Sequence, residues 1–583
     1  MVHHRLTVLP LVLRRVRLER AVDVTARMRR ITLVGEELGE FTREGLTLPA
    51  FASPGFDDHI KLIFASDGNV RDVLPAQLEH GIDWPPSRTR VTRDYTPRRH
   101  DPRARELDLD VVMHGDGPAS AWARDAKPGD ELWIVGPKSS VVVPQDADWV
   151  LLAGDETALP AISRFLEERP VDAPVRAVIT IEDDAARQPL PAREGDVLDW
   201  VIAPAGDETA LAEAVRAVQP PRGTPYVWAG AESRALLPVR RYVSREWGVP
   251  KSHVNITGYW HRDDEHTPEG AGTSTPKPVV SPVSWLAVRA AVLLGVPSVL
   301  ADGELPVAEL ARRVGADPAG LEPLLAVLTT PGVVTTENDL VGLGPFGQEL
   351  AVDEHARERF EGLHADQALA LADLAPALRK GGAAWSHGTG TSLRQSIEDV
   401  PERYAELAED AEGLVHLVTR VPSFAVWERG SRVAITGPGA LVVAGVLAEG
   451  TGSSPAVVEE PGPLRVLRDE AGAASPFEFT ETWGERDIAV TALALGHRTD
   501  AEAETLLRAL RAAAPVAVLI EKLRPDGLSP AAAEEALLHV ATLGTPPRGA
   551  ADLDRIAARA GWMISARRPL GWGVECLELA ATP

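Results

Sequence analysis

A polar stretch near the middle of the chain constrains the fold most. Residues 263–282 read DDEHTPEGAGTSTPKPVVSP, which is rich in Gly, Pro, Ser and Thr and has no apolar periodicity. Segments of this composition form flexible linkers rather than parts of a packed core. We therefore predict that the 583 residues divide into two halves. At roughly 100–200 residues per domain, they would form about three or four folding units.

The hydrophobic pattern of the first half changes near residue 149. Residues 14–145 read as many short strands interrupted by Gly, Pro and Asp, which predicts an antiparallel β-barrel. From residue 149 onward, apolar runs alternate with helical stretches, which is typical of a doubly wound parallel sheet. The predicted domains are a barrel at 1–145 and an α/β domain at 146–262.

The second half begins with helical periodicity and ends with another α/β alternation. Three amphipathic helices followed by the hairpin-like segment 335–342 predict a winged-helix-like domain at 283–350. Apolar runs after about residue 431 predict a further α/β domain within 351–583.

Composition excludes several classes of partner. The net charge of −25 argues against general binding to nucleic acid or to anionic membranes. Cys576 is the single cysteine, so the chain forms no internal disulfide and no cysteine-based metal cluster. No window approaches ~20 uninterrupted apolar residues. We expect a cytoplasmic protein that has no metal site built from protein ligands.

The first candidate motif is Arg93-Asp94-Tyr95-Thr96-Pro97-Arg98. A flavin needs a cation for its phosphates, a flat aromatic group beside its ring and hydrogen-bond partners around the ring edge. Arg93, Tyr95 and Thr96 supply the three groups, which we expect on one face of a strand. An edge strand with solvated arginines would give the same pattern.

The second candidate motif is the segment 114–123, HGDGPASAWA. Its glycines allow the backbone to approach a pyrophosphate closely, and a helix that begins near Pro118 would direct free N–H groups at that anion. An ordinary strand-to-helix turn is the alternative.

Two further motifs each place a Gly turn between an apolar strand and a helix. The segment 151–162 reads LLAGDETALPAI, with Thr157 as a candidate N-cap, and the segment 226–233 reads YVWAGAES. Neither matches GxGxxG, so neither alone predicts dinucleotide binding.

Together, the four motifs closely resemble the siderophore-interacting protein family of ferric-siderophore reductases. The segments 58–62 and 256–262 share this likeness, which spans roughly residues 14–262. It implies FAD as cofactor, NADPH or NADH as electron donor, and a ferric siderophore as substrate. The cofactor-binding residues it implies are Arg93, Tyr95, Thr96, His114, Gly117, Ala119, Ser120 and Trp122 on the barrel, and Asp155, Glu156, Thr157, Gly230 and Glu232 on the sheet.

The chemistry fits these parts. A nicotinamide gives two electrons as hydride, whereas Fe(III) accepts one, and flavin can do both. Fe(II) is held far less tightly than Fe(III) by hard oxygen ligands, so reduction releases the metal. Many ferric chelates are anionic, and an acidic protein must meet them with local cations. Lys61 and Lys138 match basic positions near the flavin in the family, and Arg262 is a further candidate.

The second half resembles small-molecule O-methyltransferases, with their dimerisation domain at 283–350. The active positions are lost, because the turn Ala434–Ala440 lacks the usual acid and contains Pro438. Gly496 replaces the catalytic His, with His497 one residue out of place, and Glu459 could still bind a ribose.

We therefore expect a degenerate, non-catalytic second half that could support a homodimer. Two alternatives stay open. One is a bifunctional reductase and S-adenosylmethionine-dependent O-methyltransferase, and the other is a protein that binds siderophore without reducing it.

Overall fold

The computed structural model describes residues 5–79, 81–113, 117–204, 207–260, 282–524, 526–528 and 532–582. The multi-domain β and α/β fold predicted from the sequence is confirmed. Almost all of the predicted linker lies outside the described residues. Its last residue, Pro282, is the first residue of a helix.

The first part of the chain forms short strands and one helix. They are β1 (Leu6–Val8), β2 (Leu13–Thr25), β3 (Met28–Val34), β4 (Phe41–Arg43), β5 (Leu46–Leu48), β6 (Ile60–Ala65), β7 (Ala76–Gln77), β8 (Ile82–Asp83), β9 (Arg90–Tyr95), β10 (Pro97–Asp101), β11 (Glu106–Val112), β12 (Glu131–Val135), β13 (Ser139–Val141) and α1 (Pro118–Asp125).

The main sheet of this part curls so that one end of each edge strand lies at the same corner. In the described residues it has the order β10-β11-β3-β2-β12-β6-β9, and all neighbouring strands are antiparallel. β9 and β10 lie at opposite edges, yet Thr96 alone separates them in sequence. Because consecutive Cα atoms lie about 3.8 Å apart, this connection brings the end of β9 close to the start of β10. The barrel therefore has its seam within the first candidate motif.

The second part is a parallel α/β sheet. Its elements are β14 (Trp149–Gly154), β15 (Val175–Ile181), β16 (Val197–Ile202), β17 (Pro225–Glu232), β18 (Val254–Trp260), α2 (Leu159–Glu168), α3 (Ala210–Ala217) and α4 (Ser233–Arg245).

This sheet is buried on both faces. Val150 and Leu152 of β14 pack in one apolar cluster with α2, whereas Trp149 and Leu151 pack on the other side with α3 and α4. The strand order is β16-β15-β14-β17-β18, so the direction of winding reverses between β14 and β17. Ligands of doubly wound sheets bind at the carboxyl ends of the strands beside such a reversal.

The third part is a small helical unit with a hairpin. It consists of α5 (Pro282–Leu293), α6 (Val296–Leu300), α7 (Val307–Val314), α8 (Pro318–Thr329), α9 (Pro345–Val352), β19 (Leu305–Pro306), β20 (Val334–Glu337) and β21 (Leu340–Leu343). Asn338 and Asp339 form the hairpin turn with φ of 50° and 68°, the left-handed values that a tight two-residue turn requires. The domain boundary expected at residue 350 falls inside α9.

The last part is a mixed α/β sheet. Its helices are α10 (Glu354–Glu358), α11 (Gly362–Ala370), α12 (Leu374–Lys380), α13 (Ala384–Thr389), α14 (Leu393–Asp399), α15 (Pro401–Ala411), α16 (Ala440–Thr451), α17 (Pro461–Ala471), α18 (Asp500–Ala513), α19 (Ala532–Leu543) and α20 (Ala550–Arg559). Its strands are β22 (Val433–Thr436), β23 (Ala456–Val458), β24 (Glu478–Thr480), β25 (Ile488–Ala492), β26 (Val516–Lys522), β27 (Trp562–Gly571) and β28 (Val574–Ala581).

In this last sheet the strand order is β24-β23-β22-β25-β26-β28-β27, and β28 runs antiparallel to both of its neighbours. The turn between β27 and β28 projects toward the barrel of the first half. Across the described ranges, no helix is long and apolar enough to span a membrane.

Candidate functional site

The barrel seam brings the first motif against the parallel sheet. Tyr95 ends β9 opposite Ile60, and burial raises the pKa of its hydroxyl to about 12. Thr96 is buried in the seam, where its side chain lies near the hydroxyl of Tyr259 on β18. Arg93 is exposed on β9, and its guanidinium donates to the Thr92 carbonyl at 2.8 Å. The three residues thus lie together, but Thr96 sits between two strands and not on the same strand face as the other two.

The second motif leads into α1, which lies against the barrel. Gly117 is the N-cap of this helix and Pro118 is its first residue, so the first turn presents backbone N–H groups that have no partner within the helix. Ala119 and Trp122 pack against the barrel core, and the buried Ser120 hydroxyl donates to the Val112 carbonyl at 3.3 Å. His114 lies outside the described residues.

A buried carboxyl that the sequence analysis missed joins the barrel to the parallel sheet. Asp57 precedes β6, and its Oδ2 accepts hydrogen bonds from Trp228 Nε1 at 3.1 Å and from Asn255 Nδ2 at 2.8 Å. Burial, with the neighbouring Asp58 charge, raises the pKa of Asp57 to about 6. The one available signal was its position directly before the quoted segment 58–62.

The third motif ties three strand ends together through Asp155. Its Oδ1 accepts from the backbone and hydroxyl of Thr157, and its Oδ2 accepts from the Glu232 backbone at 3.0 Å and from Trp260 Nε1 at 2.8 Å. Burial raises the pKa of this carboxyl. Asp155 therefore caps the turn where Thr157 was expected to be the cap, and α2 begins only at Leu159.

Glycines let β14 and β17 approach each other closely at the reversal point. A Cβ on Gly154 would lie 2.5 Å from the Gly230 carbonyl oxygen, and a Cβ on Gly230 would lie 3.1 Å from the rings of Trp228 and Tyr259. Glu232 then caps α4 by accepting from the backbone N–H groups of Arg234 and Ala235.

A cleft of about 260 Å³ opens at these strand ends. Five of the acidic side chains that line it are Glu156, Glu182, Asp207, Glu208 and Glu232. Arg27 of the barrel also lines the cleft, where its guanidinium contacts Glu156 at 2.9 Å and Glu182 at 2.9 Å. The predicted residues Asp155, Glu156, Thr157 and Glu232 thus meet in one cleft, and Gly230 lies on β17 two residues before Glu232.

Two predicted cations lie near the seam. Lys61 on β6 is paired with Asp94 on β9, with Nζ 2.9 Å from Oδ1. Lys138 lies between β12 and β13, where burial, followed by the charge of Lys61, lowers its pKa. Burial also lowers the pKa of His59, and both lysines add to this effect against the opposing charge of Asp94. Arg262 lies outside the described residues.

In the second half, the predicted ribose-binding acid is turned inward. One Glu459 oxygen accepts from Thr436 Oγ1 at 2.7 Å, from the Gly437 backbone at 2.7 Å and from the Tyr404 hydroxyl at 3.1 Å. His497 is buried against Arg498, and burial is the main cause of a strongly lowered pKa. The Glu459 carboxylate and the His497 ring thus each have hydrogen-bond partners within the protein.

Comparison with known protein families gives three matches along the chain. Residues 17–141 match the Siderophore-interacting FAD-binding domain, residues 147–263 match the Siderophore-interacting protein family, and residues 284–351 match the O-methyltransferase dimerisation domain.

Two reductases are among the curated relatives that match the first half. The NADPH-dependent ferric-chelate reductase of Escherichia coli K12 is 34% identical over 245 residues, which cover 42% of this chain and 90% of the relative. The ferric vibriobactin reductase ViuB of Vibrio cholerae is 28% identical over 243 residues, covering 41% and 86%. The chain belongs to the siderophore-interacting protein family, and its first half carries the resemblance.

For the second half, a solved structure of the O-methyltransferase NcsB1 from neocarzinostatin biosynthesis is 23% identical. The match covers 53% of this chain and 100% of the NcsB1 chain, with a TM-score of 0.44.

Proposed function

We propose that the chain is a ferric-siderophore reductase that takes electrons from NADH or NADPH, passes them through FAD and releases Fe(II). The observation that carries this proposal is the seam at Thr96. There the flavin motif, the carboxyl edge of the parallel sheet and the lysine pair lie on adjoining elements. The predicted cytoplasmic location belongs to the same proposal.

The residues at the seam fit FAD by their chemistry. The exposed guanidinium of Arg93 is free of any carboxylate contact among the described hydrogen bonds and ion pairs, so it can bind a phosphate. Tyr95 offers a flat ring whose hydroxyl stays protonated at neutral pH, and the first turn of α1 offers backbone N–H donors for a second phosphate. When bound, FAD supplies the conversion between two-electron and one-electron transfer.

The cleft beside β14 and β17 would hold the nicotinamide nucleotide. Asp155 fixes the strand ends, and the glycines at 154 and 230 keep the backbone low enough for a ligand to approach. The closeness of the Thr96 side chain to the Tyr259 hydroxyl links this cleft to the flavin strand. The chain's part is thus to bind and orient both cofactors while excluding water between them.

Anaerobic half-reactions test the proposal. The purified, flavin-loaded protein is mixed with NADH or NADPH, and bleaching of the flavin absorbance is followed. A ferric siderophore is then added together with a ferrous-specific chromogenic chelator. We expect bleaching, recovery of the absorbance and the ferrous signal. A flavin that is bleached but never reoxidised by any ferric chelate would overturn the proposal.

For the second half, we propose a non-catalytic role that includes homodimer formation. The Glu459 carboxylate accepts hydrogen bonds from the Thr436–Gly437 turn and from Tyr404. Gly496 has no side chain that could act as a base. Helix α5 exposes Leu286 and Leu293 by 46% and 61%, as expected of a helix that packs against a second copy.

Incubation with radiolabelled S-adenosylmethionine and small phenols tests the non-catalytic role. We expect no methyl transfer, and binding that is absent or weak by calorimetry. Measurable methylation would instead support the bifunctional enzyme.

A further inference from the structure

The second half docks on the barrel through closely packed backbone. A Cβ on Gly81, beside β8, would lie 2.5 Å from the Leu570 carbonyl oxygen, and a Cβ on Gly571 would lie 2.7 Å from the Ile82 carbonyl oxygen. A Cβ on Gly527 would overlap the Trp84 carbonyl. Glycines on both sides of the contact thus allow the two backbones to approach more closely than larger residues would permit. This close packing indicates a specific interface between the second half and the barrel.

Apolar and ionic contacts extend this interface. Leu528 and Trp572 of the second half pack against a buried cluster of barrel residues that includes Ile82 and Trp84. The Arg524 guanidinium pairs with Asp83 of β8. The turn between β27 and β28 is therefore held in one position relative to the barrel.

This turn places one aromatic ring beside the lysine pair. Trp572 has a φ of 50° and lies between Gly571 and Gly573, whose φ values are 115° and 76°. Few non-glycine residues adopt this conformation. The half-buried Trp572 ring lies 5.7 Å from Lys138 Nζ, within the range of a cation–π contact.

A second ring from the same half completes the arrangement. The centroid of His416 lies 5.9 Å from that of Trp572, at an interplanar angle of 62°. His416 Nδ1 is buried and has no hydrogen-bond partner within the described part of the chain. Burial, with a smaller effect of the Lys138 charge, lowers the pKa of His416 to about 4, so this ring is neutral at pH 7. The neutral His416 ring therefore adds a second aromatic ring beside Trp572 without adding charge next to Lys138.

We propose that Trp572 and His416 of the second half form a wall of the chelate site, and that the wall favours ferric chelates carrying an aryl ring over aliphatic ones. The inference rests on the proposed reductase function, because it places the substrate beside Lys61 and Lys138. Lysine charge attracts the chelate, whereas a tryptophan face discriminates by ring stacking. The second half is thus part of the substrate site, in addition to any role in dimer formation.

Two synthetic chelates isolate the aryl ring from charge. Iron(III) tris(benzohydroxamate) and iron(III) tris(acetohydroxamate) are both neutral and share their donor atoms, so they differ in the ring alone. The full-length protein, reduced by its nicotinamide, is mixed with each chelate under anaerobic conditions. The half-saturating chelate concentration is read from the rates of flavin reoxidation.

The matched variants are Trp572→Leu, which keeps apolar bulk at the interface, and Trp572→Phe, which keeps a ring. We expect wild-type protein and Trp572→Phe to saturate at a lower concentration of the aryl chelate. Trp572→Leu should lose about three- to tenfold of that preference. An equal preference in wild-type and Trp572→Leu, or no aryl preference in the wild-type protein, would overturn the inference while leaving the reductase intact. The proposed function itself would be wrong if neither chelate nor any natural ferric siderophore reoxidised the flavin of the wild-type protein.

Discussion

At the residue scale, Arg93 is the side chain on which the flavin assignment depends most directly. It is exposed on the edge strand β9, next to the seam, and its one described hydrogen bond goes to its neighbour's carbonyl. A charge-assisted bond to a phosphate contributes roughly 1.5–3 kcal/mol. The energy lost on substitution would therefore be measurable as cofactor affinity.

We expect Arg93→Ala to weaken FAD binding by about tenfold or more. The measurement is a fluorescence titration of flavin-free protein with FAD. Arg99→Ala is the matched control, since Arg99 is an exposed arginine on the neighbouring strand β10 that pairs with Asp101. Equal FAD affinity in Arg93→Ala and wild-type protein would remove Arg93 from the site.

Asp57 gives a prediction in pH. Its carboxyl holds a proton more tightly in the folded chain, where the pKa is about 6, than at its ordinary value of 3.8. Its contribution to stability is therefore full below pH 4 and declines as the pH rises through 6. Asp57→Asn, which carries no charge, should raise the free energy of unfolding by up to about 3 kcal/mol at pH 7–8.

Calorimetric unfolding of Asp57→Asn and wild-type protein at pH 4 and pH 7.5 measures this effect. The gain in the unfolding midpoint should be present at pH 7.5 and small at pH 4. A variant that is less stable than wild-type at pH 7.5 would mean that the ionised carboxylate is the form that Trp228 and Asn255 require.

At the scale of elements, the carboxyl edge of the parallel sheet is predominantly acidic. Glu182 follows β15, and Asp207 and Glu208 follow β16, whereas Arg27 is already paired with Glu156 and Glu182. A carboxylate after the second strand suits a ribose hydroxyl, whereas a 2′-phosphate requires a cation. We therefore expect kcat/KM for NADH to exceed that for NADPH by about tenfold, or about 1.4 kcal/mol.

Steady-state kinetics with both nucleotides measures this preference. Glu182→Gln should reduce the difference in kcat/KM between NADH and NADPH. Glu194→Gln, at an exposed position away from the cleft lining, is the control. Equal or better use of NADPH by the wild-type protein would show that the adenosine end binds elsewhere.

Most strands and helices could be predicted from the sequence, because the residue patterns that indicate them are local. Strand alternation and Gly–Pro punctuation predicted the barrel, and alternating strands and helices predicted the parallel sheet. The sequence did not reveal that β9 and β10 lie at opposite edges, because strand order depends on contacts distant in the chain. It also misplaced the cap at Thr157, since the competing acceptor Asp155 bonds to groups of β17 and β18.

The candidate site divides in the same way. Arg93, Tyr95 and Thr96 are neighbours in sequence, so a motif can reveal them. Asp57 lies 171 residues from Trp228 and 198 from Asn255, and its role becomes visible only when the barrel meets the sheet. Trp572 lies beyond the linker in a half that reads as a separate domain. Nothing local connects it with Lys138.

At the scale of the whole molecule, the two halves are joined through more than a linker. The interface between the β27–β28 turn and the barrel covers Trp84 and Ile82, and α4 also contacts the helical unit through the pair Arg245–Asp302. Removing the second half would expose these apolar residues to water. Tests of the chelate site therefore require the full-length chain.

The homodimer is testable at the same scale. Leu286 and Leu293 are exposed on α5, and burying a leucine contributes about 1.5–3 kcal/mol. Replacing both by Glu would remove that gain from each copy and place charges at the contact. We expect Leu286→Glu/Leu293→Glu to sediment as a monomer where the wild-type protein sediments as a dimer, with flavin content measured in parallel.

Met563→Glu, at an exposed position on the edge strand β27, is the control. A double variant that remains dimeric would place the contact elsewhere, and a monomeric wild-type protein would remove the homodimer altogether.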